Sequence, residues 1–245
     1  MSRPVLLIAG GSRGIGAATA KLAGGRGYDV AVNYKTNANA AAGVVDAVKK
    51  AGGRAVAVQG DMALENDIER VFDTASDSFG SLTHFVHSSG IIGDGSRLDD
   101  ASAATMREVL DLDTFGALLC LRACVKRMST RHGGKGGAVV MLSSMAAPLG
   151  GANECVWYAA AKAGVDSMVI GVAREVAQEG MRVNAITPGV IDTDIQPPGR
   201  IERVTPMLPM GRPGQANEVA EAVMFLLSDA ASYINGANLR VSGAR

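Results

Sequence analysis

The sequence predicts an α/β fold: a doubly wound, parallel sheet of about seven strands with helices on both faces, formed by residues 1–245 as one domain. Three observations predict it. Short apolar runs alternate with helical segments of ten or more residues along the chain, the pattern of parallel strands joined by right-handed crossovers. Those runs, Val5–Ala9 first among them, are apolar at consecutive positions, as strands buried on both faces require. The chain is 47% hydrophobic with 31 glycines and only 4% aromatic residues, a composition suited to close helix–strand packing, and 245 residues suffice for a full core.

The elements follow in order. Val5–Ala9 reads as the first strand, Gly10–Gly16 as a glycine-rich turn and Ala17–Arg26 as a helix stopped by Gly27. Asp29–Asn33 is the second strand, and Asn39–Ala51 a helix closed by Gly52 and Gly53. Arg54–Gln59 is the third strand; Asp61 and a helix over Glu65–Phe79 follow. Leu82–His87 is the fourth strand, Gly90–Ser96 a loop and Ala104–Met128 a long helix. A basic, glycine-rich turn over Arg131–Gly137 leads to a fifth strand, Ala138–Leu142. The next helix carries Tyr158 and Lys162 and runs to about Gln178, before a sixth strand at Arg182–Ile186. Gln196–Gln215 holds five of the eight prolines and reads as a mobile segment over the site. Asn217–Leu227 is a helix with Asn217 as its cap, and Asn238–Val241 the last strand. No internal repeat or domain linker is visible.

Composition excludes several classes. Twenty-four basic residues balance twenty-four acidic ones without a charged block, which argues against nucleic acid or a membrane surface as partner. Cys120, Cys124 and Cys155 are odd in number and lack metal-ligand or CxxC spacing; they read as reduced thiols, and no metal is expected. The apolar run at Val5–Ile8 is too short for a signal peptide or a membrane span, so a soluble cytoplasmic protein is expected.

Gly10-Gly11-Ser12-Arg13-Gly14-Ile15-Gly16 lies between the first strand and the first helix. A doubly wound sheet places a dinucleotide pyrophosphate there, against free N–H groups at a helix N-terminus, and glycines let the backbone approach it. The spacing Gly-x3-Gly-x-Gly differs from the better-known Gly-x-Gly-x2-Gly. The end of the second strand reads the ribose. An acid there would select NAD; this strand ends Asn33-Tyr34-Lys35, Arg13 stands opposite, and Asp29 points away. A neutral-to-basic pocket favours NADP(H) over NAD(H).

Tyr158 and Lys162 are four residues apart and share a helix face. An ammonium beside a phenol favours phenolate; bringing a tyrosine from pKa ~10 to ~7 takes about 4 kcal/mol. Such a residue exchanges protons with a reacting oxygen at neutral pH. The spacing alone equally describes a helical tyrosine with a solvated lysine one turn on.

Together the glycine motif, Asp61, Ser144, Tyr158, Lys162 and Pro188-Gly189-x3-Thr193 resemble the short-chain dehydrogenase/reductase family over essentially the whole chain, in its compact single-domain Rossmann form. The segments Val156–Gly164 and Arg182–Gly189 are similar to members of the glucose 1-dehydrogenase-like and 3-oxoacyl-carrier-protein-reductase-like kind. The resemblance implies that Tyr158 is the general acid or base, that Lys162 holds the nicotinamide ribose and lowers the Tyr158 pKa, and that Ser144 binds the substrate oxygen, with Ser143 its neighbour. It implies that Asp61 and the Met62 backbone bind adenine, that Ser88, Ser89 and Gly90 line the adenosine ribose, and that Val190, Ile191 and Thr193 face the carboxamide. It implies a homotetramer built on the long central helices and the last strand, with Leu118, Leu119, Met168 and Val172 as compatible apolar positions.

The chain departs from the family pattern at Ala9 in place of Thr, His87-Ser88-Ser89 in place of Asn-Asn-Ala, Asp113 in place of the proton-relay Asn, and Ala244 in a Gly-Gly stretch. Asp113 matters most: its negative charge near Lys162 opposes lowering of the Tyr158 pKa, and as a carboxylate it accepts but cannot donate a hydrogen bond. Two readings follow. One is an NADP(H)-dependent oxidoreductase interconverting a small carbonyl compound and a secondary alcohol, with Ser144, Tyr158, Lys162 and Asp113 at the centre. The other is a catalytically impaired NADP(H)-binding sensor or assembly protein. The substrate-choosing regions are Ile91–Arg97, Met145–Val156 and Gln196–Pro209, where Pro148, Leu149, Cys155, Val156 and Trp157 indicate a moderately apolar pocket.

Overall fold

A computed structural model describes residues 3–245. Its main sheet has seven parallel strands in the spatial order β3-β2-β1-β4-β5-β6-β9. These are β1 (Val5–Ala9), β2 (Asp29–Tyr34), β3 (Arg54–Gln59), β4 (His84–His87), β5 (Gly137–Leu142), β6 (Met181–Pro188) and β9 (Asn238–Val241). β7 (Ile191–Asp192) and β8 (Gly214–Gln215) form a separate small parallel pair. The order reverses between β1 and β4, so a crevice opens there at the C-terminal ends of the strands.

Burial on both faces explains why the strands are continuous apolar runs. One face packs against α1 (Gly14–Gly25), α2 (Ala38–Lys50) and α9 (Ala216–Leu227), through Leu6, Ile8, Val30 and Val140. The other packs against α3 (Glu65–Phe79), α5 (Ala117–Met128) and α7 (Val156–Val176), through Leu7, Phe85, Val139 and Met141. Short helices α6 (Ala146–Leu149) and α8 (Arg200–Val204) flank the crevice.

Several element boundaries differ from expectation. The first helix begins at Gly14 rather than Ala17, so the last glycines of the turn are already helical. The long helix expected over Ala104–Met128 is interrupted: α4 (Ala103–Leu110) passes through a π-helical segment, Asp111–Gly116, before α5. Such wide turns are rare and cluster at functional sites; this one contains Asp113. Asn217 is not the cap of the last helix. Gln215 is, in a capping box with Glu218, because the backbone turns helical one residue before Asn217. Ala244 has φ 67°, the left-handed region glycine favours, which accounts for glycine being usual there.

Two strand histidines make stability pH-dependent. His84 receives a 2.8 Å contact from Thr83 Oγ1 and packs edge-on to Tyr28. His87, at the end of β4 beside Ala9 and Met141 in register, is buried with no partner for Nε2. Burial pushes their pKa values down to about 4 and about 3 from 6.5. The unfolded chain therefore binds protons near pH 6.5 that the fold refuses, and stability falls as pH drops below that value. Two such groups set a slope of at most about 2.7 kcal/mol per pH unit. Urea midpoints measured between about pH 6.5 and about pH 4.5 are expected to fall, and His87→Asn to flatten the fall by up to half; parallel profiles for both proteins would contradict this.

Candidate active site

The glycine turn forms a cradle that side chains would fill. Gly10 has φ +71°, and a Cβ on it would lie 2.7 Å from the Ser89 nitrogen. A Cβ on Gly16 would lie 2.3 Å from the Gly10 oxygen, and one on Gly14 would touch Thr193 at 3.4 Å. The first turn of α1 carries no side-chain cap and no acidic residue. A helix N-terminus left uncapped in this way favours an anion over a cation.

Asn33 holds this turn in place. Its Oδ1 accepts from Gly10 N at 3.1 Å, and its Nδ2 donates to the carbonyls of Val58 and Gly60 at 3.2 and 3.0 Å. Both ends of the amide are thus committed inside the protein, so Asn33 shapes the turn rather than facing a ligand. Tyr34 is half-buried against the α1–α2 side of the core. Lys35 is exposed and pairs with Asp61 Oδ2 at 2.8 Å; Arg13 lies 3.8 Å from Asp194 across the mouth. Asp61 also accepts from Ala63 N through Oδ1. Asp29 begins β2 at the opposite end of the strand, buried between Arg54 and Arg3. The Met62 side chain is buried against Cys120.

Tyr158 and Lys162 lie one turn apart on α7, with the Lys162 ammonium 5.6 Å from the Tyr158 ring centroid. Ser144, just after β5, lines the cleft with Tyr158, and its hydroxyl accepts from Ala146 N. Ser143 points elsewhere: its hydroxyl donates to the Lys162 carbonyl at 3.2 Å. The Lys162 Nζ donates to the Leu142 carbonyl at 3.1 Å and lies 3.1 Å from Asp113 Oδ2, an ion pair that is 3% and 0% exposed. The carboxylate is close to the ammonium but poorly aligned with its N–H bonds, and Oδ2 has no other partner. Oδ1 accepts from Ile91 N at 3.0 Å. Gly90 admits the pair: a Cβ there would sit 2.8 Å from Asp113 Oδ2 and 3.1 Å from Lys162 Nζ.

The electrostatics correct one expectation. The Tyr158 pKa is raised overall, although Lys162 lowers it as expected. Burial of the phenol is the largest cause; Lys162 opposes it, and Asp113 adds to it. Burial also raises the Asp113 carboxyl, against Lys162 and the Ile91 N–H. Burial alone would depress Lys162, but the charges of Asp113 and Tyr158 outweigh it and hold the ammonium above its ordinary range. Lys162 thus spends much of its field on Asp113, and Tyr158 keeps its proton through neutral pH.

Ser144, Tyr158 and Lys162 share one cleft of about 940 Å³, counting its open mouth, with Asp113 buried behind Lys162. Ser88, Ser89 and Gly90 line one wall, and Pro188, Gly189, Val190, Ile191 and Thr193 another. Ile92, Met145, Leu149, Cys155 and Ile195 make the remaining wall apolar. Trp157 does not line it; its indole N–H donates to the Ile92 carbonyl at 2.8 Å and pins that loop to α7. Sequence reasoning missed the Leu142 carbonyl and the Ile91 N–H, because any residue type supplies a backbone partner. It also missed Glu154, which accepts from Arg200 and Arg203 at 2.7 and 3.1 Å across 46 and 49 residues.

A family model described as enoyl-(acyl carrier protein) reductase matches residues 9–243. An oxidoreductase of Escherichia coli K12, YgfF, is 41% identical over 98% of this chain and 99% of its own. A 3-oxoacyl-[acyl-carrier-protein] reductase of Synechocystis is 36% identical over 99% and 97%. The crystal structure of a short chain dehydrogenase from Burkholderia cenocepacia in complex with NADP superposes with a TM-score of 0.92 at 31% identity, covering 99% and 98% of the two chains. The glycine cradle, the reversal of strand order and the shared cleft thus agree with both kinds of similarity, and the chain belongs to the short-chain dehydrogenase/reductase family of oxidoreductases.

Proposed function

We propose that the protein is an NADP(H)-dependent oxidoreductase that interconverts a carbonyl and a secondary alcohol, with Tyr158 as acid and base. The observation that carries this is the meeting of Ser144, Tyr158 and Lys162 in the cleft that the glycine cradle opens into. The turn Gly10–Gly16 would hold the pyrophosphate. Asp61, Met62, Ser88, Ser89 and Gly90 would hold the adenosine, with Arg13 and Lys35 at its 2′-phosphate. Pro188, Gly189, Val190, Ile191 and Thr193 would hold the nicotinamide. The bound cofactor supplies or accepts the hydride.

The chain's own residues handle the proton and the oxygen. Ser144 donates to the substrate oxygen and fixes it beside the Tyr158 phenol. Tyr158 donates its proton as negative charge develops on that oxygen, and a buried phenol that stays protonated through neutral pH is primed for this direction. Lys162, kept cationic by Asp113, stabilises the phenolate left behind. In alcohol oxidation Tyr158 must first lose that proton, so the oxidative rate is expected to climb as pH rises above neutrality while the reductive rate holds.

A screen of ketones, aldehydes, sugars, quinones and oxoacyl thioesters with NADPH, and NADH in parallel, tests the reading. NADPH is expected to be preferred, and Lys35→Glu with Arg13→Ala to shift the preference toward NADH; preference for NADH in the unaltered protein would overturn the assignment of those two cations. The reading extends to assembly. Leu110, Phe115 and Leu118 on the α4–α5 side and Ile170 on α7 are exposed apolar residues, a surface suited to further copies of this chain in a homotetramer. Leu119 is buried in the core, and Met168 and Val172 pack against it, so those three are core residues first.

A further inference from the structure

We infer that the substrate carries a carboxylate at the end remote from its carbonyl, and that Arg200 binds it; the inference rests on the oxidoreductase reading above. Arg200 lines the cleft together with the apolar residues Leu149, Cys155 and Ile195. Its Nη2 donates to Glu154 Oε2, and its Nε is buried with no partner. A buried guanidinium N–H without a partner is unfavourable until an acceptor meets it. Glu154 also accepts from Arg203 through Oε1, so one carboxylate is shared between two guanidinium groups. Arg245 lines the same cleft, and Glu154 is the one acidic residue among those lining it. Two arginines, Arg200 and Arg245, thus line the cleft with one carboxylate that Arg200 already shares with Arg203, while Lys162 is balanced by Asp113. An anion entering there meets uncompensated positive charge and a donor waiting for it, and guanidinium geometry suits a carboxylate. Gln196 Oε1 is also buried and unpartnered. It lies four residues before Arg200 in the loop leading into α8, and pairing between the two after a small shift of the segment is the competing explanation; it confers no preference for acids.

Levulinate and its longer straight-chain oxo-acid homologues, each paired with its methyl ester, separate the cases. With NADPH, kcat/KM is expected to favour at least one acid over its ester by about tenfold or more, the scale of one charge-assisted hydrogen bond. Arg200→Gln is expected to erase the ratio by raising KM for the acid while leaving ester turnover in place, and Arg200→Lys to retain part of it. Glu154→Gln is expected to lower KM for the acid, an effect loosened packing would not produce. Valerate, but not methyl valerate, is expected to raise the Tm of the protein without cofactor, and not that of Arg200→Gln. Equal turnover of acids and esters, or equal loss of both in Arg200→Gln, overturns the carboxylate assignment alone. Oxidation of NADPH by none of them, nor by the wider carbonyl screen, overturns the oxidoreductase reading and this inference with it.

Discussion

Tyr158→Phe is expected to lower kcat for carbonyl reduction by about 10³-fold, within the range that a positioned general acid supplies, while NADPH affinity stays nearly unchanged. The reason is local. Phe keeps the ring that packs in the cleft with Cys155, Ala161 and Val109, and removes only the hydroxyl beside Ser144. The Lys162 ammonium keeps both of its other partners, the Leu142 carbonyl and Asp113, so the cofactor cradle is untouched. Stopped-flow NADPH oxidation and a fluorescence titration of NADPH separate the two quantities. Retained turnover in this variant would remove Tyr158 from the mechanism.

Asp113→Asn carries the second large effect, and it acts in two directions. Removing the carboxylate leaves the fully buried Lys162 ammonium without its counter-charge, and breaking one side of a buried pair typically costs about 3–5 kcal/mol of stability. The urea midpoint is expected to fall accordingly, though an amide still accepts from the Ile91 N–H. The same change releases the field of Lys162 toward Tyr158, so the phenol pKa falls. Alcohol oxidation, which needs the phenolate, is expected to reach its plateau on the order of one pH unit lower, equivalent to about 1.4 kcal/mol. A fall in stability with no movement of the pH–rate profile would make Asp113 a purely structural partner. A cofactor-binding protein without catalysis would show turnover only after this substitution, which distinguishes that reading from an enzyme tuned toward reduction.

What the sequence made legible was local or conjunctive. The glycine turn could be placed because a strand, glycines and a helix follow one another directly, and Tyr158 and Lys162 because a spacing of four fixes a shared helix face. Asp113 stood out only through the resemblance, yet its charge pointed to the right opponent, Lys162. The π-helical segment around it was not legible, since a wide turn depends on how α4 and α5 pack on α7 and on Gly116 passing close to the Met62 carbonyl. For the Tyr158 pKa the signs of the Lys162 and Asp113 contributions were legible, but the net direction was not, because spacing does not report the burial of the phenol, which is the larger influence here. Asn33 looked like a ribose contact by its place at the strand end; its amide proved to be spent on the glycine turn. The Glu154–Arg200–Arg203 cluster joins residues far apart in the chain and left no pattern to read.

The claim on which the account turns is that Tyr158 is a buried acid, held protonated by burial and by Asp113 against the pull of Lys162. Ultraviolet difference titration of the cofactor-free protein against Tyr158→Phe isolates that one phenol. The account predicts that it ionises above the ordinary value of 10.0, and that Asp113→Asn brings it down. Ionisation of Tyr158 near neutral pH in the unaltered protein would contradict it.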